Sequence, residues 1–165
     1  MDDAGNELPP EMTGEIVLRG PKIFKGYWKN PEATKATIVN GWLHTGDIGK
    51  IDEEGFLYIL DRKKDMINRG GEKIYSLEVE NVISGYPKVL EVAIVGVPDK
   101  VMGEAVKAVI ALKSGEEATE EEIKAFCGQH LADYKVPKYV EFVDALLRNP
   151  AGKVMKTELR YIPGQ

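Results

Sequence analysis

Three glycine-containing segments hold the side chains best suited to chemistry. Thr45-Gly46-Asp47 sets a carboxylate on a turn. A carboxylate offers two acceptor oxygens, so it can take both hydroxyls of a vicinal diol such as a ribose. The plain alternative is a turn that aspartate merely caps. Gly70-Gly71-Glu72-Lys73 is either an ordinary tight turn or a place where backbone approaches a ligand closely, which the missing Cβ permits. Asn149-Pro150-Ala151-Gly152-Lys153 is either a plain loop or a lysine on a mobile loop, supplying a cation to a phosphate or carboxylate.

The remaining reactive side chains read as bland. Cys127 is the only cysteine, so neither an intramolecular disulfide nor a thiolate metal cluster is expected. On the apolar face of a helix it reads as a small core residue rather than a nucleophile. His44 and His130 are the only histidines, which excludes most His-rich metal sites, and no metal site is expected. His44 suits a local hydrogen bond, and His130 a partly buried packing position. Tyr27, Trp28 and Trp42 read as packing residues.

The elements that must position these groups follow from pattern. A short strand is expected over 14–20. A helix is expected to start at Pro31, with 35–40 as its last turn. The three glycines of 41–49 suggest a tightly turning backbone. Residues 50–62 read as two strands joined by Glu53-Glu54-Gly55. The run 61–65, five consecutive charged residues, suits an exposed connector. Beyond it the signals sharpen. Residues 66–75 form short apolar pairs around the Gly70-Gly71 turn. A helix over 76–86 has Ser76 as N-cap and Val79, Val82, Ile83 and Tyr86 on one face. Residues 89–99 and 104–113 read as buried strands. A helix over 119–135 carries a Thr119–Glu122 capping box and an apolar face of Ile123, Phe126, Cys127, His130 and Leu131. A strand over 139–143 and a short helix over 154–160 complete the chain. The expected fold is α+β: a small mixed β-sheet with packed helices, preceded by a β-rich tail.

Composition narrows the function classes. The 165 residues are 43% hydrophobic and 30% charged, enough apolar material for one sizeable core. A net charge of -5 argues against broad nucleic-acid binding, which needs a basic face to neutralise phosphates. No apolar run approaches the roughly 20 residues of a membrane span, and the acidic, polar start does not resemble a signal peptide. A cytoplasmic location is therefore expected.

In combination these segments are far more specific than any one. GYWKNPEAT (26–34), GWLHTGD (41–47), GFLYILDRKKDMI (55–67), RGGEKIYSLEVE (69–80), GVPDKVMGE (96–104) and NPAGKVMK (149–156) follow one another in order and spacing. The pattern resembles the C-terminal part of the adenylate-forming ligase superfamily, and most of all its fatty-acyl-CoA synthetases and related acid–CoA ligases. The resemblance covers nearly the whole chain.

The resemblance implies a two-step reaction. A carboxylate attacks the α-phosphate of ATP, giving acyl-AMP and pyrophosphate, and the thiol of coenzyme A (CoA) then displaces AMP. By position, Asp47 and Arg62 match the residues that hold the ribose, and Lys64 the hinge. Gly70 and Gly71 match the loop lining the pantetheine approach, and Lys153 the lysine of adenylation. Arg62, Lys63 and Lys64 could also attract the CoA phosphates, although a solvated hinge is the plainer reading. Acetylation of Lys153 would remove the catalytic charge and is a control the family suggests.

The implied layout is a tail of a large N-terminal domain over 1–62, a hinge over 63–65 and a mobile C-terminal domain over 66–165. ATP, CoA and Mg²⁺ are the implied cofactors, the Mg²⁺ arriving with ATP and without a protein ligand in this chain. The implied partners are the N-terminal domain and a carboxylic acid; exposed edges of the tail could also pair with a second copy as a homodimer. The family's Ser/Thr/Gly-rich phosphate loop is absent from these residues, so the chain alone is expected not to activate carboxylates. Two alternatives stand beside this: an adenylation domain loading a carrier protein, and a stand-alone non-catalytic binding module.

Overall fold

A computed structural model describes residues 1–160. The chain divides into two compact units, Met1–Lys64 and Asp65–Gln165. The expected C-terminal domain runs to residue 165, and its positions 161–165 lie outside the described residues.

The first unit is built around one long strand. β1 (Gly14–Leu18) is followed by α1 (Pro31–Thr37), β2 (Ile38–Val39), β3 (Trp42–Ile51) and β4 (Leu57–Arg62). β3 is central: β1 pairs antiparallel with it, while β2 and β4 pair with its beginning and its end. Pro31 does open the helix, at its first turn, with Asn30 capping the Ala33 amide. The expected last turn over 35–40 is corrected. Ile38 and Val39 leave the helix as β2, because the β-branched pair abuts an Asn40-Gly41 turn whose positive-φ geometry suits a two-residue hairpin. The expected tight turning over 41–49 is met at Gly41 and corrected beyond it. Residues 42–49 are one strand with an irregular register, Gly46 and Gly49 being absorbed into it. Of the charged run, Asp61 is buried and, with Arg62, still belongs to β4, so the exposed connector shortens to residues 63–64.

The second unit contains β5 (Ile67–Arg69), β6 (Glu72–Ile74), α2 (Ser76–Ser84), β7 (Val89–Asp99), β8 (Gly103–Leu112), α3 (Glu120–His130) and β9 (Tyr139–Val143). Short 3₁₀ turns follow at Asp133–Lys135 and Glu158–Arg160. The sheet order is β6-β5-β8-β7, with β9 lying parallel on β8, so the sheet is mixed as expected. β7 and β8 are apolar without alternation because both faces are covered. One face packs Ile94, Val106, Ala108 and Ile110 beneath Val79 and Ile83 of α2 and Ile123 and Cys127 of α3. The other packs Ala93, Val95, Val97, Ala105 and Val109 against Leu146 and Leu159 of the closing segment.

Four details differ from expectation. Tyr75, not Ser76, is the N-cap of α2, and Ser76 is its first, fully buried residue. α3 ends at His130, where an extended Leu131 halts it. His130 is exposed, its ring tilted on Phe126 and its Nδ1 2.8 Å from the Phe126 carbonyl oxygen. The closing helix over 154–160 shrinks to the 3₁₀ turn. The Thr119–Glu122 capping box and the burial of Cys127 agree with the sequence reading.

Candidate functional site

In the first unit, Asp47 and Arg62 are brought together. They are direct cross-strand partners on β3 and β4, and Arg62 Nε lies 3.1 Å from Asp47 Oδ1. Both are partly exposed. The guanidinium steadies one carboxylate oxygen, and the carboxylate retains acceptor positions for a diol.

The local backbone is fixed by polar contacts. Gly46, just before Asp47 in β3, adopts φ +72°, a left-handed conformation that glycine accepts readily. The Thr45 hydroxyl donates to the Ile16 carbonyl at 2.7 Å and accepts from the Asp47 amide at 3.1 Å. Glu15, on β1, accepts from the Gly46 amide at 3.3 Å and from Lys63 Nζ at 3.0 Å, and lies 3.1 Å from His44 Nδ1. Burial raises the Glu15 carboxyl, but the His44 and Lys63 hydrogen bonds outweigh it and hold the group below the usual carboxylate range. The Lys63 amide donates to the Gly46 carbonyl at 2.8 Å. The residue before Asp47 and the residue after Arg62 are therefore joined directly and through Glu15. His44 has the local hydrogen-bonding place that its type suggests. Lys64 is exposed in the turn that ends this unit.

In the second unit, Gly70 and Gly71 form the turn between β5 and β6, with φ +62° and +97°. The Gly71 amide donates to Asn68 Oδ1 at 3.0 Å, and the Gly70 amide to the Met102 carbonyl at 2.7 Å. A Cβ on Gly71 would meet nothing within 4 Å, so its surface is open to an approaching chain.

Lys153 closes a second, separate turn. Asn149 Oδ1 accepts from the amides of Ala151 at 3.0 Å and Lys153 at 2.9 Å, and Arg148 and Val154 bridge beneath. Lys153 is exposed, and among the described residues its ammonium has no hydrogen-bond or ion-pair partner. Arg148 pairs with Glu91 of β7 and donates from Nη1 to the Gly152 carbonyl at 2.8 Å. An unpaired cation on a turn held by charged anchors can meet an anion without first breaking a contact.

Sequence reasoning missed the anchors: Glu15 with Lys63, Arg148 with Glu91, and Lys156 with Glu80 and Ser76. Their partners lie 48, 57 and, for Ser76, 80 residues apart, so no local pattern could pair them. No group of three or more metal-ligating side chains occurs among the described residues.

Residues 78–153 match the model of the AMP-binding enzyme C-terminal domain. A long-chain-fatty-acid–CoA ligase of Escherichia coli is 51% identical over 97% of this chain, and a 2-succinylbenzoate–CoA ligase of Bacillus cytotoxicus is 48% identical over 96%. The chain spans 28% and 32% of those two proteins. Among solved structures, ATP-bound MatB from Rhodopseudomonas palustris matches with TM-score 0.90 and 43% identity over 96% of this chain and 32% of its own. Amide bond synthetase McbA from Marinactinospora thermotolerans matches with TM-score 0.89 and 42% identity, over 96% of this chain and 33% of its own. The chain thus carries, over residues 78–153, an AMP-binding enzyme C-terminal domain, and nearly all of it is similar to part of longer acid–CoA ligases.

Proposed function

We propose that this chain works as the C-terminal part of an AMP-forming acid–CoA ligase, with a fatty acid as the acid. The choice of fatty acid is supported by 51% identity to long-chain-fatty-acid–CoA ligases, against 47–49% for the ligases of 2-succinylbenzoate and crotonobetaine or carnitine. The observation that carries the nucleotide role is the Asp47–Arg62 pair, whose carboxylate keeps acceptor positions for a ribose diol.

Lys153 serves the first half-reaction. Carboxylate and triphosphate are both anionic, so their approach is repulsive, and charge at the α-phosphate grows as the new P–O bond forms. An unpaired ammonium offsets both, and acts most strongly in the transition state. Gly70 and Gly71 serve the second, letting the pantetheine arm pass close to backbone at an open turn. Lys64 is the hinge between the two, its backbone torsions re-aiming the second unit from one turn to the other. Mg²⁺ accompanies ATP. The remaining catalytic and acid-binding parts come from a preceding large domain.

The test uses a ligase that ends in this chain. Lys153→Ala is expected to slow acyl-adenylate formation by about 10²–10³, while thioester formation from supplied acyl-AMP survives. Equal loss in both half-reactions would contradict the role.

The similarity to a protein named as an amide bond synthetase favours one second reading, in which the acyl group passes to an acceptor other than free CoA. Turnover with free CoA as the sole acceptor would count against it.

A further inference from the structure

Lys156 stands three residues beyond Lys153 and points the opposite way chemically: its ammonium is fully engaged with protein. Nζ lies 2.6 Å from Glu80 Oε1 and donates to the Ser76 hydroxyl at 2.8 Å. Both charged side chains are largely shielded, at 20% and 17% exposure, so water screens their attraction far less than at an open surface. Glu80 Oε1 also accepts from the Ile94 amide of β7 at 2.9 Å, and Ser76 is wholly buried. One ammonium thus ties the closing segment to the first turn of α2 and, through Glu80, to β7.

The turn bearing Lys153 is therefore held on both flanks. On the near side, Arg148 grips Glu91 and the Gly152 carbonyl, and the Met155 amide donates to the Leu147 carbonyl at 2.8 Å. On the far side, Lys156 is the charged anchor. A turn held on one side only can pivot. A second anchor three residues away, within about 10 Å of chain, limits where the Lys153 ammonium can go. α2 also follows directly on the β5–β6 hairpin, so Lys156 joins the segment carrying Lys153 to the segment carrying Gly70 and Gly71.

We propose that Lys156 is a positioning residue for adenylation: its ion pair with Glu80 and hydrogen bond to Ser76 set the reach of Lys153 and make both functional turns of the second unit move as one body. The proposal rests on the reading that Lys153 acts in adenylation. α2 does not depend on this contact for its own place, since Val79 and Ile83 are wholly buried in the core. Loss of Lys156 therefore frees the Lys153 turn while the Gly70-Gly71 turn keeps its support.

The test compares half-reactions in a ligase that ends in this chain. Lys156→Met is expected to slow acyl-adenylate formation by about 10- to 100-fold and to leave thioester formation from supplied acyl-AMP unchanged. Lys156→Arg, which can keep the ion pair, restores most of the rate. Glu80→Gln, which keeps an acceptor for the Ile94 amide but loses the charge, behaves like Lys156→Met, and the double variant is no slower than either. These two variants carry the test if Lys156→Met does not fold. In the 165-residue chain, Lys156→Met also speeds hydrogen exchange at the Gly152 and Lys153 amides and leaves α2 amides unchanged. Equal loss of both half-reactions, or no change in adenylation, overturns the proposal. If Lys153→Ala itself leaves adenylation intact, the underlying reading fails, whatever Lys156 does.

Discussion

The sole cysteine makes the helix that backs the second unit directly measurable. Cys127 lies two turns inside α3, wholly buried with Ile110 and Ile123, and burial pushes its thiol up to about 11. A thiol reagent needs an exposed thiolate, so labelling must proceed through opening of α3. The start of α3 is held by a reciprocal box: the Glu122 amide donates to Thr119 Oγ1 at 3.2 Å, and the Thr119 amide donates to Glu122 Oε2 at 2.8 Å. Thr119→Ala removes the first bond and leaves the second available, because alanine keeps its amide. Loss of such a cap costs about 1 kcal/mol, which raises the open population about fivefold. The assay is the pseudo-first-order rate of single-site labelling by an aromatic disulfide, with the denatured chain as reference. When reclosing outpaces labelling, the rate follows the open population. Native chain is expected to label far more slowly than denatured chain, Thr119→Ala about fivefold faster than native, and Thr119→Ser at the native rate. Native labelling as fast as in the denatured chain would refute the burial. An unchanged rate in Thr119→Ala would refute the link between cap and core.

Two further outcomes test other parts of the structure. Asp99 at the β7–β8 turn accepts from Lys138 Nζ at 2.6 Å and from the Met102 and Val101 amides, and these hold its carboxyl far below the ordinary range. A carboxyl lowered on folding adds stability that is fully present above the unfolded value, about 4, and fades as pH falls toward the folded one. Denaturant midpoints measured across the acid range should therefore fall less steeply for Asp99→Asn than for the native chain; parallel curves would remove Asp99 from the account. Gly71→Ala meets no neighbour but must hold φ near +97°, a backbone strain of about 1–2 kcal/mol. In a ligase ending in this chain it should slow thioester formation more than adenylation, and the reverse order would refute the assignment of that turn.

Much of the second unit was legible because its signals are local. The Thr119–Glu122 spacing marks the start of α3, and the glycine pair marks the β5–β6 turn. The unbroken apolar runs of β7 and β8 announce strands covered on both faces. The first unit was less so. Ile38 and Val39 continue a helical stretch in sequence, and only pairing with Trp42 and Leu43 makes them a strand. The three glycines of 41–49 suggest tight turning throughout, yet only Gly41 lies in a turn, and the partners on either side of β3 keep the chain in strand through Gly46 and Gly49. Ser76 looks like a cap until the tertiary fold buries it and gives its hydroxyl to Lys156.

The candidate site divides along the same line. Residue type put Asp47, Gly70, Gly71 and Lys153 forward only as one of two readings each, and it was the combination of motifs and its resemblance to the adenylate-forming ligases that chose between them and added Arg62. Which cations are free and which are committed is not written there. Lys153 and Lys156 are both lysines of one short motif, but one ammonium stands open while the other is locked between Glu80 and Ser76. That difference is made by side chains 76 or more residues distant in sequence, because an ion pair depends on distance in space, and only the packed sheet and helices determine that distance.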